Sequence, residues 1–210
     1  MPKKRNLKEL FPRVFRWTSF HRGIGSEVSS YLVVDRAGVV LVDPALPSPA
    51  ILGAIRDLAA PDAIVLTTSS HARQAARCRR AFRCPLYAHE AAAERLRLRD
   101  VETFTDGAGL PAGMQAVWVP GATEGECALY YEASDPAAGV FFVGDVLVNL
   151  DAKQGLSLLP AEWCADPKRL ERSVRRLLRY DFDRLCLSHG EPVLEGAKKK
   201  VRALLERKKR

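Results

Sequence analysis

Hydroxyl and basic side chains stand where a short predicted strand meets a predicted helix. The run 64–67 is apolar and β-branched, as a buried strand requires, and 72–82 is rich in helix formers without Gly or Pro. In open α/β folds ligands collect at the carboxyl ends of strands, and the first turn of a helix offers free N–H groups. We therefore expect a functional site at this join, which holds Thr68, Ser70 and Arg73.

Three further polar residues follow predicted strands. Asp145 comes after the apolar run 140–143, and His189 comes after 183–187. Carboxylate and imidazole groups are metal ligands, so both residues are candidates for chemistry. The alternative for Asp145 is a turn or capping role, and the alternative for His189 is a hydrogen-bonded histidine at a strand end. Asp43 is interpreted as a structural residue that accepts N–H groups from the loop after it.

Alternation of β-rich runs, turn residues and amphipathic segments defines the elements that carry these residues. Residues 1–22 contain a predicted first strand. Further strands are predicted over 29–34, 39–42, 64–67, 85–88, 102–105, 115–119, 127–132, 140–143 and 183–187. Helices are predicted over 49–59, 72–82, 90–98, from Pro167 onward, and over 197–207.

The composition is that of a globular protein with one domain, residues 1–210, of which 47% are hydrophobic. No apolar run approaches the roughly 20 residues of a membrane span, so we predict no membrane partner. The charged start has no apolar segment behind it and does not resemble a secretory signal, which predicts a cytoplasmic protein. The five cysteines are odd in number and form no Cys-x-x-Cys pair, so buried free thiols are expected.

The formal charge of +8 belongs to the two ends of the chain. Residues 1–22 carry a net charge of +6 and residues 196–210 carry +7, which leaves −5 for 23–195. Cations interleaved with aromatic residues can bind nucleic acid, and such binding weakens steeply with salt. The favoured interpretation is a first strand whose alternate residues enter the core while its cations stay solvated, and, at the other end, a solvated helix face followed by a frayed terminus.

Four short motifs, taken in chain order, resemble those of the metallo-β-lactamase fold superfamily. They are Leu41-Val-Asp43, Val119-Pro-Gly-Ala-Thr-Glu-Gly125, Val143-Gly-Asp145 and Ser188-His-Gly190. Leu66-Thr67 also stands where the superfamily's His-x-His-x-Asp-His loop begins. The resemblance covers about residues 28–195. It implies an αββα sandwich, in which two mixed sheets face each other, helices cover both outer faces, and metal ligands come from loops along one edge.

The resemblance also implies that most metal ligands of the superfamily are replaced in this chain. Ligand positions are occupied, in chain order, by Thr68, Ser70, Ala72, Arg73 and Ala122. Asp145, at the position of the carboxylate that bridges metals in the family, and His189, at the position of the final ligand, are retained. A catalytic zinc needs about three protein ligands and an open position, and hydroxyl groups are poor substitutes.

His71 and Arg73 decide how the remaining site is interpreted. His71 lies one residue beyond Ser70, an offset of about 100° on a helix, so it joins the site only if the loop differs by one residue. A fixed cation about 5 Å from a dication repels it by roughly 6 kcal/mol at an effective dielectric constant near 20. The preferred hypothesis is that Arg73 lies beside Asp145 and supplies the positive charge that a metal would provide.

Supporting roles are expected for the polar residues around this centre. Thr68 and Ser70 are predicted to cap the following helix, and with Asp43 to surround the site. Surface or packing roles are predicted for His21 and His89. Glu124 and Glu126, near the motif 119–125, are within reach of the pocket, but solvated loop roles are favoured for them.

Together these observations favour a divergent superfamily member that lacks a full dinuclear metal site and metal-dependent hydrolase activity. Such a protein would bind an unknown small molecule in its cleft, without a metal cofactor. One alternative is an active hydrolase of ester, thioester, lactam or phosphodiester bonds, with one zinc, iron or manganese ion on Asp145, His189 and His71. A second alternative is a nucleic-acid-binding protein that uses the basic ends.

Overall fold

The structure, a computed structural model, describes residues 7–45, 47–132, 139–150 and 155–207. Parts of the two basic ends, 1–6 and 208–210, lie outside the described residues. The strands are β1 (Lys8–Phe11), β2 (Val14–His21), β3 (Ser26–Asp35), β4 (Gly38–Val42), β5 (Ala63–Val65), β6 (Leu86–His89), β7 (Val101–Phe104), β8 (Gly109–Leu110), β9 (Met114–Trp118), β10 (Cys127–Tyr131), β11 (Gly139–Val143), β12 (Leu147–Val148), β13 (Ser157–Leu158) and β14 (Phe182–Leu187). The α-helices are α1 (Pro49–Leu58), α2 (Ala75–Phe82), α3 (Glu90–Ala93), α4 (Pro167–Val174) and α5 (Ala197–Arg207).

Two mixed sheets form the centre of the fold. In the first sheet β1 to β7 follow one another in chain order, antiparallel up to β4 and parallel from β4 to β7. The second sheet has the order β14-β11-β10-β9-β8, with β11 and β14 parallel and the other pairs antiparallel. A short ribbon of β12 and β13 lies beside them.

Apolar residues from both sheets interlock in the layer between them. Tyr31 of β3 meets Phe142 of β11 edge to face, with ring centroids 5.3 Å apart. The Tyr31 hydroxyl also crosses the layer and donates to the backbone oxygen of Leu187, 2.6 Å away. This layer fixes how the strand ends of one sheet lie against those of the other.

Helices cover the outer face of each sheet, as the αββα prediction required. Residues of α1 and α2 pack on the outer face of the first sheet, and residues of α4 and α5 pack on that of the second. Local sequence explains where α1 begins, because Ser48 accepts from the N–H of Ile51 and Pro49 occupies the first turn. Asp166 caps α4 in the same way, accepting from the N–H of Arg169.

Two predicted helices are shorter in the structure. The segment predicted over 72–82 is divided into a 3-10 helix, Ser69–Ala72, and α2, because Arg73 has φ 26° and ψ −97°, outside helical values. The segment predicted over 90–98 keeps only α3 and continues as turns that return the chain to β7. So short an isolated helix depends on packing rather than on propensity.

Cys78, Cys84, Cys127 and Cys186 are buried free thiols, as predicted, whereas Cys164 is a free thiol that is only partly buried. Among the described helices, none combines the length and the apolar character needed to cross a membrane.

Candidate metal centre

The polar residues singled out above converge at one edge of the sandwich. Asp43 follows β4, Asp145 lies just after β11, and His189 follows β14. Because β4 is parallel to β5 and β11 is parallel to β14, the carboxyl ends of each pair open at a common edge. The packing of the two sheets brings these edges together.

His71 occupies the middle of this site, between two carboxylates. The 3-10 helix Ser69–Ala72 turns its imidazole inward, where 1% of the side chain is exposed. Its Nδ1 lies 2.8 Å from Asp43 Oδ2, and its Nε2 lies 3.1 Å from Asp145 Oδ1. His71 therefore reaches the site, which is the condition under which the sequence assigned it to the cluster.

Asp43 fixes the orientation of the His71 imidazole. Its buried carboxylate also accepts hydrogen bonds from the Thr67 N–H (2.9 Å), the Thr67 hydroxyl (2.6 Å) and the Ser188 hydroxyl (3.1 Å). The structural role expected for Asp43 is thus present, but its donors are Thr67, two residues after β5, His71, and Ser188 directly after β14, rather than the loop that follows Asp43. Burial alone would raise the pKa of Asp43, but the charge and hydrogen bond of His71 lower it below its usual value.

Asp145 and His189 complete a three-residue cluster with His71. His189 Nε2 lies 3.0 Å from the same Asp145 oxygen that His71 contacts. One ligand atom from each residue lies within 4.8 Å of the others. Gly190 must follow His189 because its φ is 89° and a Cβ there would collide with the carbonyl of Asn149.

The protonation of the cluster follows from burial and charge. Burial alone would lower the pKa of His71, but the negative charges of Asp145 and Asp43 outweigh it and raise the pKa to about 9. Burial would raise the pKa of Asp145, but His71 and the hydrogen bond from His189 lower it well below its usual value. In the metal-free cluster His71 is therefore a cation between two carboxylates.

Arg73 lies in the site, where it lines the same cavity as Asp145. Its Nη2 is 3.5 Å from His189 Nε2, and its Nη1 is buried without a hydrogen-bond partner among the described residues. Asp145 makes its close contacts with the two imidazoles, and no ion pair within 4 Å joins it to Arg73. Arg73 still interacts with the charges of Asp43 and Asp145 beyond ion-pair distance, so the hypothesis that it supplies positive charge beside Asp145 stays a prediction.

Glu126 is a buried member of the site, contrary to the expected solvated loop role. Its Oε1 accepts from the backbone N–H of Asp145 at 2.7 Å, and its Oε2 accepts from the Thr123 hydroxyl at 3.3 Å. Burial and the charge of Asp145 raise the pKa of Glu126 to about 8. Gly144 makes room for it, since a Cβ there would lie 2.5 Å from Glu126 Oε1. Its position directly before the fully apolar run of β10 was the available sequence signal.

The cluster lies at the floor of a cavity of about 530 Å³. His21, expected to have a surface or packing role, is part of its wall. His89 lies elsewhere, stacked on Trp118, and Glu124 pairs with Arg169, so those two predictions agree with the structure. The cavity wall consists of His21, Ile24, Ser26, Ser70, His71, Arg73, Ala122, Thr123, Asp145, Val148, Leu150, Leu159, Trp163 and His189.

A sequence model described as the metallo-beta-lactamase superfamily matches residues 7–207 of this chain. The chain belongs to the metallo-beta-lactamase superfamily. None of the curated proteins compared with it matches.

Solved structures of metallo-beta-lactamases have the same fold. DIM-1 metallo-beta-lactamase superposes with a TM-score of 0.74 at 19% identity, covering 97% of each chain. TMB-1 gives 0.75 at 14% identity over 98% of each chain. A metallo-beta-lactamase family protein from Thermus thermophilus gives 0.70 at 19% identity, over 96% of this chain and 81% of the other. At such identities the likeness concerns the fold alone.

The superfamily positions that lack a histidine here surround the cluster. Thr68 does not cap the following helix, since its hydroxyl lies 3.2 Å from that of Thr123 instead. Ser70 lies within the 3-10 helix and, like Ala122, lines the cavity.

The three clustered residues fit a metallo-beta-lactamase-type metal ion in chemistry and in spacing. Two imidazoles and a carboxylate are a known catalytic zinc set, and bonds of about 2.0–2.1 Å at tetrahedral angles separate ligand atoms by about 3.3 Å. The separations of 3.0 and 3.1 Å from Asp145 Oδ1 are close to that value. His71 also has the carboxylate partner on its other nitrogen that metal-bound histidines usually have.

Proposed function

We propose that this protein is a hydrolase of the metallo-beta-lactamase superfamily with a single divalent metal ion, zinc in the first place, held by His71, Asp145 and His189. The observation that carries the proposal is the convergence of these three ligand atoms within 4.8 Å at the floor of a cavity. Three protein ligands leave a position free on a tetrahedral ion, as catalytic zinc sites do.

The surrounding residues prepare this arrangement. Asp43 accepts a hydrogen bond from the Nδ1–H of His71, which leaves Nε2 directed toward Asp145. Glu126 holds the backbone N–H of Asp145. A divalent ion in this set would supply Lewis-acid chemistry, polarising an oxygen and making water more acidic.

The reaction class that suits this site is hydrolysis of an ester, thioester, lactam or phosphodiester bond. Water supplies the oxygen that becomes bonded to the electrophilic carbon or phosphorus, the bond to the leaving group breaks, and the leaving group takes a proton. Arg73 contributes positive charge beside His189, where negative charge on the reacting group would be stabilised.

Elemental analysis of protein purified without chelator tests the proposal. We expect about one equivalent of zinc, iron or manganese per chain, and less than about a tenth of an equivalent in His71→Ala and in Asp145→Ala, because two remaining ligands hold a metal weakly. His89→Gln is the matched histidine control, since His89 lies outside the cavity, and it should retain the metal. Wild-type protein without metal, even after dialysis against excess zinc, would refute the proposal.

A second candidate is the divergent, metal-free ligand-binding protein favoured by the sequence. Its supporting observation is charge balance, because His71 as a cation and Arg73 together offset the buried carboxylates Asp43 and Asp145. A buried carboxylate needs such a partner. Absence of metal from the dialysed protein, together with a folded His71→Ala variant, would favour this candidate.

A further inference from the structure

The mouth of the cavity exposes large apolar side chains. Ile24 and Leu150 are each 52% exposed, and Trp163 is 63% exposed. They belong to the small set of exposed large hydrophobic residues in the described part of the chain, and all three line this one cavity. Contiguous exposed apolar surface of this kind marks a binding site.

These three residues come from separate parts of the fold. Ile24 lies in the turn between β2 and β3, Leu150 follows β12, and Trp163 ends the 3-10 helix Ala161–Trp163. Leu159 and Val148 continue the apolar wall inward. A wall assembled from several segments indicates a cavity surface rather than the ordinary exposure of one loop.

The floor of the cavity has the opposite character. It presents the imidazole of His189, the Asp145 carboxylate hydrogen-bonded to that imidazole, and the guanidinium of Arg73, which forms no ion pair within 4 Å among the described residues. Arg73 therefore has positive charge available for a ligand oxygen that is negative or strongly polarised. The volume of about 530 Å³ is within the range of small-molecule sites.

We propose that the cavity binds acyl compounds, with an apolar chain on Ile24, Leu150 and Trp163 and with the carbonyl or carboxylate end beside Arg73 and His189. The proposal uses the site of the proposed hydrolase and names its substrate class: acyl esters or thioesters whose chain is long enough to reach the mouth. The free carboxylate is the product of such a reaction and a stable probe of the same contacts.

Calorimetric titration with butanoate, hexanoate, octanoate and decanoate, each below its micellar concentration, tests the apolar part. From hexanoate to decanoate we expect the Kd to fall by about two- to fourfold for each added methylene, because each methylene leaves water for the apolar mouth. Trp163 emission should shift to shorter wavelength on saturation. A Kd that does not depend on chain length would overturn the proposal.

Matched variants locate the binding. Trp163→Ala should weaken decanoate binding by about fivefold or more while changing butanoate binding little. Leu58→Ala is the control, because Leu58 is similarly exposed at 49% but lies on α1, away from the cavity. Equal effects of the two variants on decanoate would contradict the assignment.

The head group tests the polar part. Decanoate should bind at least about tenfold more tightly than decanol, and Arg73→Gln should remove most of that difference. Tighter binding of decanol, or of decyltrimethylammonium, would contradict the role of Arg73.

Both titrations are made with chelator-treated protein and with zinc-loaded protein. A failure of the metal-centre proposal can then be distinguished from a failure of the acyl-site proposal. Decanoate binding to a protein that takes up no metal would leave the acyl site standing and refute the metal centre. Metal uptake without chain-length-dependent binding would leave the metal centre standing and refute the acyl site.

Discussion

Asp43 connects the sequence motif Leu41-Val-Asp43 to the chemistry of His71. It receives four hydrogen-bond contacts while buried, so its negative charge is compensated by donors from three parts of the chain. The motif predicted a structural aspartate, but nothing in the local sequence indicated that a histidine 28 residues away would be its partner. That contact depends on the parallel pairing of β4 with β5.

The first prediction concerns Asp43→Asn. The variant keeps the size of the side chain but loses the charge that orients the imidazole, so we expect zinc affinity to fall about 10- to 100-fold. Competition with a chelator of known affinity measures this. Asp62→Asn is the control, since Asp62 caps the N–H of Val39 far from the cavity and should leave zinc affinity unchanged. Equal zinc affinity in all three proteins would contradict the orienting role.

The second prediction concerns the pH dependence of stability in chelated protein. The pKa of His71 is raised from 6.5 to about 9 on folding, so its stabilising contribution is complete below pH 6.5 and is lost as the pH rises through 9. The free energy of unfolding should therefore fall by about 2–4 kcal/mol across this interval. Urea unfolding at several pH values measures it, and His71→Gln should show a clearly smaller slope. The same slope in both proteins would exclude His71 as its source.

At the scale of elements, most of the strand pattern could be predicted from the sequence, but the backbone conformation of the segment after β5 could not. Apolar runs and turn residues located most of the longer strands to within about three residues, because alternation and turn residues are local properties. Residues 1–22 form two strands instead of the one predicted, and β8, β12 and β13 were not predicted. The 3-10 helix Ser69–Ala72 and the positive φ of Arg73 depend on contacts with distant residues, such as the bond from Gln74 N–H to the Pro44 oxygen. This is why His71 was assigned only conditionally to the site.

The third prediction compares two glycines with positive φ. Gly190, beside His189, has φ 89° and no room for a Cβ, whereas Gly107 has φ 80° and open space around it. Gly107→Ala should cost about 1 kcal/mol in the free energy of unfolding from backbone conformation alone. Gly190→Ala should cost more than about 3 kcal/mol, because the collision with Asn149 must be relieved by moving backbone. Similar losses in denaturant titrations of the two variants would show that the close approach is unimportant.

At the scale of the whole molecule, four short motifs were sufficient to predict the αββα sandwich from the sequence. The match of the superfamily over 7–207 supports the prediction of one domain, which stays a prediction. Nucleic-acid binding through the basic ends also stays a prediction. The C-terminal helix α5 contributes Val201 and Leu205 to the core, so its lysines must be tested by substitution rather than by truncation. The cavity was not predictable, because its wall comes from segments far apart in sequence.

The fourth prediction concerns the contact between the sheets. Tyr31→Phe removes the donor to Leu187 O and leaves that buried oxygen without its partner, so unfolding should become easier by about 1–2 kcal/mol. Tyr87→Phe is the control, because the Tyr87 hydroxyl has no hydrogen-bond partner among the described residues. Thermal and urea unfolding of both variants measure the difference. An equally stable Tyr31→Phe protein would mean that the bond across the layer contributes nothing.

The polar chain Asp43, His71, Asp145, His189 crosses from the first sheet to the second. Asp43 and His71 come from the loops of one sheet, and Asp145 and His189 come from those of the other. A displacement of one sheet by about an ångström along the His71–Asp145 contact, which is 3.1 Å long, would lengthen it beyond hydrogen-bond range. The position of one sheet relative to the other is therefore coupled to the geometry of the reactive centre. Hydrogen exchange of the backbone amides in the facing strands should report on both.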